Sequence, residues 1–176
     1  PFDKYMFIDK KQAHVDELKR IIHDEFPQIE KRCHVWRGDG CDILREQCIY
    51  GNDWKKCRAV VFLDPYGMNV EWSLIERIAD TKAIDLWLLW PLGMGANRLL
   101  TRNGKPNARF SSKLSRMFGC TDWEQFYTTK KTDDLFSLNH LVTTKTASME
   151  DIGLFYLERM KGIFAGVAPS VKLLRN

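Results

Sequence analysis

The stretch Cys57-Arg58-Ala59-Val60-Val61-Phe62-Leu63-Asp64-Pro65-Tyr66-Gly67-Met68 decides how this chain is read. Residues 59–63 form a short β-branched and aromatic run without polar alternation, the pattern of a strand covered on both faces in a parallel sheet. The run stops at Asp64, where Pro65 removes a backbone donor and Gly67 permits dihedrals closed to other residues. Asp64 and Tyr66 are therefore expected at the carboxyl end of a central strand, the edge at which open α/β sheets bind ligands.

Upstream, residues 5–8 form a second apolar run that ends in a carboxylate, Asp9. Residues 12–26 then carry Val15, Leu18 and Ile22 at three- and four-residue spacing, which predicts an amphipathic helix ended by Pro27. Residues 34–36 are expected to be a strand running into Arg37-Gly38-Asp39-Gly40, and residues 41–50 a helix. Downstream, residues 69–82 read as a helix that buries Trp72, Ile75, Ile78 and Ala79, and residues 84–89 as another uninterrupted apolar strand. This alternation predicts βαβ units in an α/β, Rossmann-like, doubly wound and mostly parallel sheet.

Glycines, asparagines and basic side chains interrupt the texture after Gly93. Residues 94–147 are accordingly expected to be a helical insertion or cap, with one short basic helix over 110–118 and a polar stretch beyond it. The core of a single domain is then 1–93 and 148–176, a partition that suits a chain of 176 residues. Ser148 is the expected N-cap of a last helix with Met149, Ile152, Tyr156, Met160 and Ile163 on its apolar face. A strand-like run near the first residue and another over 171–174 make the sequence read as an excerpt of a longer chain.

With 44% hydrophobic and 28% charged residues, the composition is that of an ordinary soluble domain. A net charge of +4 permits a nucleic-acid partner without demanding one. Five cysteines, an odd number without a Cys-x-x-Cys pair, argue against a zinc site or a disulfide framework and for reduced thiols in the cytoplasm. No apolar run reaches the roughly 18 residues of a membrane span, and no signal-peptide pattern opens the sequence. The histidines show no ligand spacing, so no metal site is expected.

Asp9, Asp39 and Asp64 each follow a strand candidate. Any one of them alone reads as readily as a turn residue or a helix N-cap. Together they gain meaning, because an acid at the end of a strand in a nucleotide-binding sheet accepts the two adjacent ribose hydroxyls. Arg98, Arg102 and Arg109, with Lys105, Lys113 and Arg116 and the aromatics Trp123, Phe126 and Tyr127, suit a phosphate backbone and stacked bases; a solvated helix over a small satellite core fits them equally well.

The order strand-Asp, Gly-Asp-Gly, strand-Asp-Pro-Tyr-Gly resembles the ordered motifs of class I S-adenosylmethionine-dependent methyltransferases. Asp64-Pro65-Tyr66 resembles the Asp-Pro-Pro-Tyr signature of those that methylate exocyclic amines of bases, with one proline in place of two. In Phe62-Leu63-Asp64-Pro65-Tyr66-Gly67, in the helix that follows and in the closing Leu173-Leu174-Arg175-Asn176, the chain resembles the bacterial three-Cys-motif partner (TcmP) family. That resemblance implies a methyltransferase-type fold, here without its first strand and glycine-rich loop, and S-adenosyl-L-methionine as cofactor, with Asp9 at its ribose and Asp39 at its adenine amine. It implies a target amine held by Asp64, the Pro65 carbonyl and Tyr66, since two acceptors fix the amine protons while a ring stacks on the base. The expected activity is methyl transfer to a nucleic-acid base. The alternative is a non-catalytic partner of a three-Cys-motif protein built on a degenerate fold, and a third is a nucleotide-binding module without transfer chemistry.

Overall fold

β1 (Tyr5–Asp9) and β2 (Cys33–Arg37) pair in parallel, in register from Tyr5 opposite Cys33 to Asp9 opposite Arg37, and α1 (Gln12–Glu25) connects them. The computed structural model describes residues 2–65, 70–90, 92–134 and 137–171, and its contacts group the chain into two units, Pro1–Asp53 and Trp54–Asn176. α1 forms because Val15 and Ile22 recur on one buried stripe. On its solvated side Arg20 bridges Glu17 at 2.7 Å and Asp24 at 3.1 Å, pairs that fit helical spacing and contribute little each. After β2, Asp39 caps α2 (Gly40–Ile43), which widens into a π-helical turn over Leu44–Ile49.

In the second unit β3 (Ala59–Leu63) and β4 (Ile84–Leu88) are again parallel neighbours, from Ala59 opposite Ile84 to Leu63 opposite Leu88, joined through α3 (Trp72–Asp80). α3 buries Trp72, Leu74, Ile75, Ile78 and Ala79, the expected face with one leucine added. Contrary to the expectation from sequence, β3 is not covered on both faces. Burial alternates along it, and Val60, Phe62 and Trp87 on β4 are 48%, 62% and 66% exposed. Among the described residues each parallel sheet has only two strands, so one face of β3–β4 carries apolar side chains in solvent. A continuous apolar run reports composition; it does not by itself report a second covering layer.

The region read as a helical insertion contains α4 (Asn97–Leu99) on the end of a π-helical turn, and α5 (Ala108–Phe118), the basic helix foreseen there. It also contains an element that was not foreseen: β5 (Tyr127–Asp134) and β6 (Ser137–Lys145) form an antiparallel ribbon. α6 (Met149–Lys161) follows, opened by a capping box in which Ser148 and Asp151 bond each other's backbone N–H. Of its expected apolar face, Ile152 and Tyr156 are buried, Met149 is exposed, and Ile163 lies past the helix end.

The core of this unit gathers α3, α5, α6 and the aromatic residues after α5. The Phe118 ring meets Trp90, Phe126, Phe155 and Tyr156 edge-on, and Trp90 stacks on Tyr156 with centroids 4.2 Å apart. Gly119 ends α5 at φ +69, and a Cβ there would sit 2.1 Å from Trp72 Cδ1, so glycine alone fits both the left-handed cap and the tryptophan against it.

Candidate functional site

The three acids singled out from sequence each stand at the carboxyl end of a parallel strand: Asp9 on β1, Asp39 two residues past β2, and Asp64 directly after β3. Asp9 and Asp39 belong to the first unit and Asp64 to the second. Their local states differ. Asp9 Oδ1 accepts the Lys11 N–H at 2.7 Å and Oδ2 lies 3.0 Å from His14 Nδ1. These contacts, the Lys11 amide first, hold the Asp9 carboxyl below the ordinary carboxylate range.

Asp39 is the N-cap of α2 and accepts the Cys41 and Asp42 N–H groups, while Lys10 Nζ meets its Oδ2 at 2.6 Å. The Lys10 hydrogen bond is the largest cause of its depressed pKa. Burial, followed by the Asp39 charge, pushes the nearby Cys41 thiol up, which keeps it protonated at neutral pH. Cys33, Cys41, Cys57 and Cys120 are in no disulfide.

Asp64 is exposed and, among the described residues, has no hydrogen-bond or ion-pair partner. Nor does it cap α3, whose N-cap is Glu71. Pairing continues just past the strand ends, where the Leu89 N–H donates to the Leu63 carbonyl at 2.8 Å, so Asp64 follows directly on a fixed backbone. Pro65 is half-buried, and Tyr66 lies outside the described residues.

The basic residues separate into two kinds. Lys105 is paired with Glu124 at 2.7 Å and Arg116 with Glu71 at 3.4 Å. Arg98 on α4, Arg102 beyond it and Arg109 in the first turn of α5 are exposed and have no ion-pair partner among the described residues. Arg102 is brought against the ribbon: its carbonyl accepts the Lys145 N–H at 3.0 Å, and Asn103 bridges Thr144. Trp123 and Phe126, offered above as base-stacking candidates, are 2% and 5% exposed and belong to the core, so they cannot stack on bases. Tyr127 is half-buried and its hydroxyl donates to the Thr101 carbonyl.

Sequence reasoning missed Lys130, Lys131 and Lys145 as a set, because the segment that carries them reads as a polar stretch without strong periodicity inside the insertion or cap. The β-branched runs Thr128-Thr129 and Val142-Thr143-Thr144 were the available signal. A surface cavity of about 400 Å³ is lined by Glu71, Trp72, Glu76, Arg116 and their neighbours on α3 and α5, and none of the predicted site residues borders it. Among the described residues no three His, Cys, Asp or Glu side chains are grouped to hold a metal, and no helix is long and apolar enough to cross a membrane. No family model matches this chain, and no curated protein or solved structure matches it at a significant level.

Proposed function

We propose that this chain is a methyltransferase-type α/β protein that uses S-adenosyl-L-methionine to methylate an exocyclic amine of a nucleic-acid base. The observation that carries the reading is the contrast between Asp64 and its two counterparts. Asp9 and Asp39 are engaged by backbone amides, while Asp64 presents an exposed carboxylate, without a partner among the described residues, at the carboxyl end of a parallel strand. A carboxylate in that state is an acceptor ready for a donor from outside the chain. Asp64 and the Pro65 carbonyl would take the two amine protons and Tyr66 would stack on the base; bound S-adenosyl-L-methionine supplies an electrophilic methyl group for transfer.

The donor set in the first unit is compatible with that cofactor. Each carboxylate offers about four acceptor positions, so Asp9 and Asp39 retain capacity for ribose hydroxyls and an adenine amine beyond the contacts they already make. Each unit also contains one parallel βαβ pair, β1 with β2 and β3 with β4, the building block of α/β folds of this type.

A second reading, a non-catalytic binding partner of a three-Cys-motif protein, is favoured by one observation. Val60, Phe62 and Trp87 form an exposed apolar face that a protein surface would cover. The two are separated by assaying methyl transfer to nucleic acid with wild-type protein and with Asp64→Ala. Transfer in the wild type, abolished in Asp64→Ala with cofactor affinity retained, supports the enzyme; no transfer by wild-type protein contradicts it and favours the partner.

A further inference from the structure

The β5–β6 ribbon carries Lys130, Lys131 and Lys145 together with two carboxylates of its own, Asp133 and Asp134, toward its turn. Residues 102–104 lie along β6, with the Gly104 N–H donating to the Thr143 carbonyl at 2.7 Å and Asn103 opposite Thr144, which places Arg102 opposite Lys145. Directly opposed residues share a face, and like charges so placed repel. Lys145 Nζ donates to Asn97 Oδ1, and its pKa is lowered by burial first and by Arg102 second. Among the described residues no carboxylate pairs with Arg102, Lys130, Lys131 or Lys145.

Side chains alternate between faces along a strand. One face therefore presents Arg102 and Lys145, then the Thr129 and Thr143 hydroxyls 2.9 Å apart, then Lys131 opposite Leu141. The other presents Lys130 opposite Val142, and Thr128 opposite Thr144. Lys130, Lys131, Thr128 and Thr129 are exposed, and Leu141 and Val142 are 59% and 39% exposed, so this part of the ribbon is not consumed by packing.

We propose that this ribbon is a docking element for a nucleic-acid duplex, entering a groove with its cations against the phosphates of both walls. This rests on the nucleic-acid reading above and names the substrate as double-stranded. A two-stranded ribbon fits the major groove of B-DNA, which is about 12 Å wide. A groove has a phosphate wall on each side, and the ribbon has lysine on each face. Threonine hydroxyls supplement lysine and arginine at phosphate oxygens, while the exposed Leu141 and Val142 suit apolar base edges. Among the described side chains the exposed part of the ribbon is threonine- and lysine-rich and shows no exposed aromatic of the kind that protein interfaces place at their centres.

The test is fluorescence anisotropy of a labelled mixed-sequence duplex with the intact protein over a salt series, without cofactor. Wild-type affinity should fall with salt, and Arg102→Ala, Lys130→Ala and Lys131→Ala should each reduce the slope of log K against log salt by about one, the effect of losing one phosphate contact. Lys131→Arg should keep the slope, and so should Lys19→Ala, an exposed position on α1. No binding by wild-type protein, or slopes unchanged in all three alanine variants, would overturn the proposal. Binding of single strands or polyglutamate as tight as binding of the duplex would overturn the duplex assignment. Because the assay needs neither cofactor nor transfer, ribbon-dependent binding without methylation sinks only the catalytic reading; methylation with unchanged slopes sinks only the ribbon.

Discussion

At the scale of the residue, Asp39 and Asp64 share a sequence context and differ in what they do. Asp39 caps α2, so Asp39→Ala should destabilise the protein by about 1 kcal/mol, measured by chemical denaturation. Its folded-state pKa is depressed, chiefly by the Lys10 hydrogen bond. The sign follows: the stability it contributes is present above the ordinary carboxylate value, roughly pH 4, and is lost as pH falls through the depressed folded value. Lys10→Ala should therefore flatten the acid limb of the stability profile, and an unchanged limb would refute the ion pair. Asp64→Ala should leave the melting temperature where it is, because that carboxylate has no partner among the described residues. The sequence marked all three acids as strand-terminal but did not distinguish them, because a cap is defined by the amides that turn back toward it.

At the scale of the element, the helices and parallel strands were legible because their apolar spacing matches what they bury. Residues 59–63 emerge as β3 with the expected bounds, and α3 buries the stripe that its periodicity marks. What was not legible was which strand face lacks a cover, since Phe62 and Trp87 look like core residues until neighbouring layers are known. Phe62→Ser should consequently change stability by less than about 0.5 kcal/mol, whereas Ile75→Ala, at 0% exposure, should cost about 2–5 kcal/mol. Similar losses from the two would show that the β3–β4 face is covered after all. Gly119→Ala should cost about 2 kcal/mol or more, from a left-handed φ and overlap with Trp72, and a smaller loss would mean that the tryptophan can withdraw. The ribbon escaped notice because strands exposed on both sides have no apolar alternation; lysine and β-branched threonine together are what such strands leave in a sequence.

At the scale of the whole molecule, the chain is two parallel βαβ pairs in two units, the second extended by helices and an antiparallel ribbon. The parallel direction within each of these two pairs was readable because β1 and β3 are each followed by a helix long enough to cross back. The number of strands per sheet was not, since pairing is a long-range property that no local pattern encodes. The reading proposed for this architecture places a cofactor at Asp9 and Asp39 and a substrate at Asp64, so the cofactor site can be tested before any substrate is known. Calorimetric titration of S-adenosyl-L-methionine into the intact protein is the most direct measurement, run on wild type, Asp9→Ala, Asp64→Ala and His14→Ala, the last removing an Asp9 partner while keeping its carboxylate. The account predicts saturable binding that is weakened about ten- to a hundredfold in Asp9→Ala and nearly unchanged in the other two; absence of binding to wild-type protein, or an affinity indifferent to Asp9→Ala, would contradict it.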